Sequence, residues 1–143
     1  MSKMANNFDD KSYIGLLGYG YTAKHFKEHL VASCFKKTHT KSFWAVKREG
    51  NHNETKDIQY IPIESLEIKE QIEKSTGLLI SIPPSTFHDK ALKVVKEYAS
   101  QAKKLKWIGY LSSTAVYGDH KGDWVDEDSE CNPTTSRGIR RLA

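Results

Sequence analysis

A doubly wound α/β fold, with about five parallel strands in the order 3-2-1-4-5, is the architecture this sequence predicts. Two observations carry it. Short apolar runs alternate with helical segments from Tyr13 onward. Strands alternating with helices at this spacing indicate crossover units, hence a parallel sheet covered on both faces. The first of them, Tyr13 to Leu17, ends on a Gly-x-Gly turn that opens directly into a helical pattern.

Residues 1–12 are polar and read as a flexible leader, and residues 13–143 as one domain. A chain of 143 residues, 38% of them hydrophobic, is long enough for a single proper core. From Tyr21 the spacing of Ala23, Phe26, Leu30 and Val31 is helical and ends near Cys34. "SFWAVKR" at 42–48 is the second strand, "IQYIPI" at 58–63 the third, "LEIKEQIEKS" at 66–75 a short amphipathic helix, and "LLISIPP" at 78–84 the fourth strand. Thr86 is expected to cap a helix from Phe87 to Ala102 with Ala91, Leu92, Val95 and Ala99 on its apolar face. "WIGYLSS" at 107–113 is the fifth strand. This order places a crevice at the strand C-termini between strands 1 and 4.

The net charge of +4 comes from scattered lysines and from clusters at Lys36-Lys37, Lys103-Lys104-Lys106 and Arg137 to Arg141. These are not interleaved with aromatics as a nucleic-acid groove requires, so they read as solvated helix faces and helix C-terminal cations. There is no apolar run of about 18 residues and no signal-like N-terminus, which predicts a cytoplasmic protein without membrane contact. Cys34 and Cys131 have no metal-type spacing and read as reduced, unpaired thiols.

The turn "GYGYTA" has the pattern G-x-G-x-x-A. Gly18 permits the tight exit from strand 1, Gly20 lets backbone approach a pyrophosphate, and Ala23 keeps the helix close to the strand. The helix N-terminus, with Tyr21 and Thr22 in its first turn, offers N–H groups and positive dipole character to a phosphate. Strand 2 ends about 25 residues further on, close to the spacing at which such sites read the adenosine ribose. The residues there are Lys47 and Arg48 rather than an acid, which predicts a 2′-phosphate partner and hence NADP over NAD. Ile82 and Pro83, leaving strand 4, complete the expected cofactor lining.

"YLSSTAVYGD" at 110–119, followed by "WVDEDSECNPTTSRG", resembles the strand-5 region of the atypical and extended short-chain dehydrogenase/reductases, the NAD(P)-dependent epimerase/dehydratases of sugar nucleotides. With the glycine turn the resemblance covers essentially the whole chain and implies a Rossmann-like fold. It implies that Ser113 hydrogen-bonds the substrate's reacting oxygen and that Ser112 lines the cofactor, with Thr114 beside them. A hydroxyl at the C-terminal end of a central strand also stands where open α/β sheets bind ligands, against the alternative that it only bonds local backbone.

The family's proton-transferring Tyr and its Lys partner fall on Arg137 and Arg141. Arginine stays protonated and is a poor acid or base. Tyr117 is a packing residue in the family, and the acidic loop of Asp126, Glu127 and Asp128 reads as loop structure. His25 and His29 lie one helical turn apart without an evident third ligand, so no metal is expected. The family continues beyond strand 5 into a C-terminal substrate domain, so the chain is expected to be truncated after strand 5. An exposed strand edge would then favour self-association or a separate C-terminal half. The resulting expectation is an NADP(H)-binding Rossmann domain that is not catalytic alone. The alternatives are a remnant or interaction module, or one half of a split oxidoreductase or epimerase.

Overall fold

Five parallel strands form one sheet in the order β3-β2-β1-β4-β5. The strands are β1 (Ile14–Leu17), β2 (Phe43–Val46), β3 (Gln59–Tyr60), β4 (Gly77–Ile80) and β5 (Trp107–Tyr110). The helices are α1 (Tyr21–Ser33), α2 (Glu67–Lys74), α3 (Lys90–Tyr98) and α4 (Ser136–Leu142). This computed structural model describes residues 11–33, 42–47, 58–86 and 88–142. The expectations placed on Cys34, Lys36, Lys37, Arg48 and Phe87, and on most of the leader, lie outside those residues.

The described chain divides into two compact units, one made of the segments up to Ile82 and Ala91–Tyr110, the other of Pro83–Lys90 and the segment from Leu111 onward. The first holds the sheet. β1, β2 and β4 are buried at every position, as parallel strands covered on both faces must be, whereas the edge strand β5 is only half-buried. Leu17, Trp44, Val46, Ile61, Ile72, Leu78, Ile80 and Val95 make the centre of the core.

α2 forms because its sequence satisfies both ends and one face. Ser65 Oγ accepts from the Glu67 N–H at 3.2 Å, Glu67 and Glu70 sit in the first turn, and Lys74 closes the last turn on Glu70 at 2.6 Å. Ile68, Gln71 and Ile72 are its buried face. At its end the Ser75 hydroxyl donates to the Gln71 carbonyl at 2.7 Å and accepts the Trp44 indole N–H at 2.9 Å.

Tyr13 donates its phenol proton to Gln71 Oε1. Burial, with the Glu70 charge behind it, pushes this phenol above the ordinary tyrosine value, and Tyr98 shifts the same way through its bond to Glu97. The folded chain therefore holds a proton that the unfolded chain releases at about pH 10, so this stabilisation is complete below that pH and is lost as pH rises through the folded value. Tyr13→Phe is expected to flatten the fall of Tm between about pH 9 and pH 11, measured by circular dichroism. An unchanged slope overturns the assignment.

Element order and sheet order agree with the sequence reading, but several boundaries do not. β3 is two residues long rather than 58–63, although the Ile61 N–H still donates to Ala45 O at 2.9 Å. Pro62, without an N–H, ends the ladder, and Pro83 and Pro84 limit β4 in the same way. α3 begins at Lys90 rather than at a Thr86 cap. Ser85 Oγ donates to His88 O at 2.6 Å and accepts from His88 N at 3.2 Å, a local turn that competes with helix. Val31, assigned to the apolar face of α1, is exposed, while Ala23 and Leu30 are buried.

Candidate functional site

β1 ends at Leu17, and Gly18 then takes φ +107°, a backbone region that side chains other than glycine rarely enter. A Cβ on Gly18 would also stand 2.6 Å from Ser81 Oγ and 3.0 Å from the Ile82 backbone N. The crowding has a cause. Ser81 N and Ile82 N both donate to Leu17 O, at 2.9 and 3.0 Å, and Ser81 Oγ donates to Gly18 O at 2.9 Å. The ends of β1 and β4 are thus tied together beneath the turn.

Gly20 is the opposite case. It is exposed, and a Cβ built on it meets nothing within 4 Å. Lys24 N donates to Gly20 O at 3.0 Å, so the N–H groups ahead of Lys24 have no acceptor within the helix. Tyr21 and Thr22 are exposed at this lip, and Ala23 is fully buried, letting α1 lie against the sheet. An open space over a glycine at a helix N-terminus fits a pyrophosphate approaching the backbone.

Beside the turn, Lys47 follows β2 and extends its Nζ to 5.2 Å from the centroid of the Tyr60 ring. The Tyr19 ring meets Tyr60 edge-on at 5.8 Å, and Lys24 Nζ lies 5.9 Å from the Tyr19 centroid. The parallel register pairs Ala45 with Tyr60, which brings the end of β3 level with that of β2. Lys47 was legible from the sequence. Ser81 and Tyr60 were not, because the register places both and no local motif marks them.

The other expected site residues lie in the second unit, with the exception of Ile82. Ser113 precedes a 3₁₀ turn, Thr114–Val116, and its Oγ accepts from Ala115 N at 3.3 Å. Among the described residues no hydrogen bond takes its own proton. Ser112, Pro83 and Thr114 are exposed, and Tyr117 is half-buried with its carbonyl accepting from Asn132 N at 3.4 Å and from His120 Nε2 at 3.1 Å. α4 is started by Thr135, whose Oγ1 accepts from Gly138 N at 3.1 Å. It carries exposed Arg137 and half-buried Arg141.

Asp126 Oδ1 accepts from Asp128 N at 3.2 Å and from Ser129 Oγ at 2.9 Å, a self-contained turn that accounts for the acidic loop. On α1, His25 bonds Glu28 at 3.1 Å and His29 approaches Ser33 Oγ at 3.5 Å. Among the described residues no three His, Cys, Asp or Glu side chains gather as a metal site, and no helix is long and apolar enough to cross a membrane.

This Rossmann-like five-stranded fold is shared with part of the solved structures of a putative NAD-dependent epimerase/dehydratase and of a short-chain dehydrogenase/reductase superfamily protein. The chain is 30% identical, at a TM-score of 0.69, to a functionally unknown conserved protein from Silicibacter pomeroyi, over 92% of this chain and 46% of that one. It is 17% identical, at 0.69, to a putative NAD-dependent epimerase/dehydratase from Methylobacillus flagellatus, over 92% and 48%. Against a short-chain dehydrogenase/reductase superfamily protein from Agrobacterium tumefaciens with bound NAD it is 12% identical at 0.59, over 91% and 42%. The chain thus spans about half the length of these solved structures or less. No protein-family model and no curated protein matches the sequence.

Proposed function

We propose that this chain binds a nicotinamide dinucleotide at the Gly18–Ala23 turn, and NADP(H) in preference to NAD(H). The open space over Gly20 at the N-terminus of α1 carries the reading. Gly18 and Ala23 shape the turn, the first-turn N–H groups meet the phosphates, and Ile82 stands beside the turn. The preference for NADP rests on Lys47, with Arg48 next to it in sequence, because an ammonium or guanidinium pairs with a 2′-phosphate through charge-assisted bonds. The bound structure from Agrobacterium tumefaciens, which holds NAD, supports the cofactor class.

The nicotinamide supplies a hydride when bound. The chain's own part would be to orient the reacting oxygen through the Ser113 hydroxyl. By the sequence resemblance Arg137 and Arg141 would fall where the family has its Tyr and Lys, and neither guanidinium exchanges a proton at ordinary pH. General acid–base help worth about 10²- to 10⁴-fold is therefore missing, which favours a binding role for this chain taken alone.

Calorimetric titration with NADPH tests the first part. Saturable binding is expected, and absence of heat at about 1 mM cofactor, where an affinity of about 4 kcal/mol already half-fills the site, overturns it for a folded sample. NADPH oxidation with sugar-nucleotide or simple carbonyl substrates is expected to match a no-protein control. Turnover that disappears on Ser113→Ala overturns the second part.

A further inference from the structure

We propose that Tyr60 is a positioning residue for ligand specificity, its ring holding the Lys47 ammonium where it meets a phosphate on the adenosine ribose. The inference rests on the dinucleotide reading above and adds the residue that sets the preference. Lys47 is a flexible four-carbon stem, and immobilising such a side chain on a ligand costs up to about 2 kcal/mol of rotamer freedom. An aromatic face that already holds the cation removes part of that cost before the ligand arrives.

The geometry supplies such a face. Tyr60 carries Lys47 at 5.2 Å, and Tyr19, between the two glycines, braces Tyr60 edge-on at 5.8 Å. Lys24 stands over Tyr19 at 5.9 Å. Two ammonium groups therefore flank two half-buried phenol rings beside the glycine turn. Among the described residues no carboxylate pairs with Lys24 or Lys47. A ligand offering a flat base and a phosphate beyond the pyrophosphate matches that arrangement, and adenosine 2′,5′-bisphosphate is its smallest representative.

The test titrates adenosine 2′,5′-bisphosphate and 5′-AMP into the wild-type chain, Tyr60→Phe, Tyr60→Leu and Lys47→Met. The wild type is expected to prefer the 2′-phosphorylated nucleotide by about tenfold or more, the worth of one charged hydrogen bond. Tyr60→Phe, which keeps the ring face, should retain that preference. Tyr60→Leu should weaken the bisphosphate about two- to fivefold, the value of an exposed cation–π pair, and leave 5′-AMP unchanged. Lys47→Met should remove the preference, and adding Tyr60→Leu to it should change nothing further.

Equal weakening of both nucleotides by Tyr60→Leu, or Leu behaving as Phe does, overturns the proposal. A wild type that binds both nucleotides equally overturns it while leaving the dinucleotide reading intact; one that binds neither overturns both. The wild-type chain also gives a check that needs no variant to fold. The Lys47 ε-methylene protons should show an upfield ring-current shift in the NMR spectrum that moves on adding the bisphosphate but not 5′-AMP, and lack of that shift overturns the proposal.

Discussion

Gly20→Asp is expected to lower NADPH affinity by more than about 100-fold, or about 2.7 kcal/mol, while leaving Tm unchanged or slightly raised. The two halves of this result have separate causes. A side chain at Gly20 meets no protein atom within 4 Å, and its φ is not among the positive ones, so the folded chain accommodates it. Gly20 immediately precedes α1, where aspartate is a favourable cap for the first-turn N–H groups. The same carboxylate then takes those donors away from a phosphate and repels it, removing hydrogen bonds to a charged group worth about 1.5–3 kcal/mol each. Calorimetry with NADPH and thermal melts of the same samples read both halves. Affinity retained within tenfold would mean that the turn serves only the fold.

The contrast with Gly18 shows why the binding effect is separable there and not elsewhere in the turn. Any side chain at Gly18 enters a left-handed backbone region and meets Ser81 and the Ile82 amide, so its replacement damages the β1–β4 junction before binding can be measured.

Element order and the position of the turn were legible because both are local signals: apolar runs of strand length, helical periods between them, and glycines two residues apart. Boundaries failed where short-range hydrogen bonding or missing donors outweighed periodicity. Ser85 captures His88 and delays α3, and prolines shorten β3 and β4. Val31 fits the period of α1 yet is exposed, because α1 buries only a narrow stripe against the sheet. In the site, Lys47 could be found by counting from the glycines, whereas Ser81 reaches Gly18 across 63 positions. Tyr60 depends on the β2–β3 register. Such pairings are products of strand order, and no local pattern announces them.

Trp44 shows the same principle in the core and gives the largest stability effect expected. It is fully buried on β2, directly opposite Gly15 of β1 in the register, and its indole N–H reaches Ser75 at the end of α2. One side chain therefore joins β2 to β1 and α2, and it packs so closely that a Cβ on Gly15 would stand 2.4 Å from Trp44 Cζ2 and 2.6 Å from Leu78 Cδ2. Trp44→Ala is expected to cost about 3–5 kcal/mol, a third or more of the stability of a typical domain. At about 3 °C per kcal/mol, Tm should fall by about 10 °C or more. Gly15→Ala alone should cost about 1–3 kcal/mol, because the added methyl overpacks a ring that its bond to Ser75 prevents from moving away. In the Trp44→Ala background the same methyl enters the vacated space, so its cost should fall to near zero or change sign. Urea unfolding of the four proteins measures this coupling directly, and costs that add within about 0.5 kcal/mol would show that the ring does not rest on Gly15.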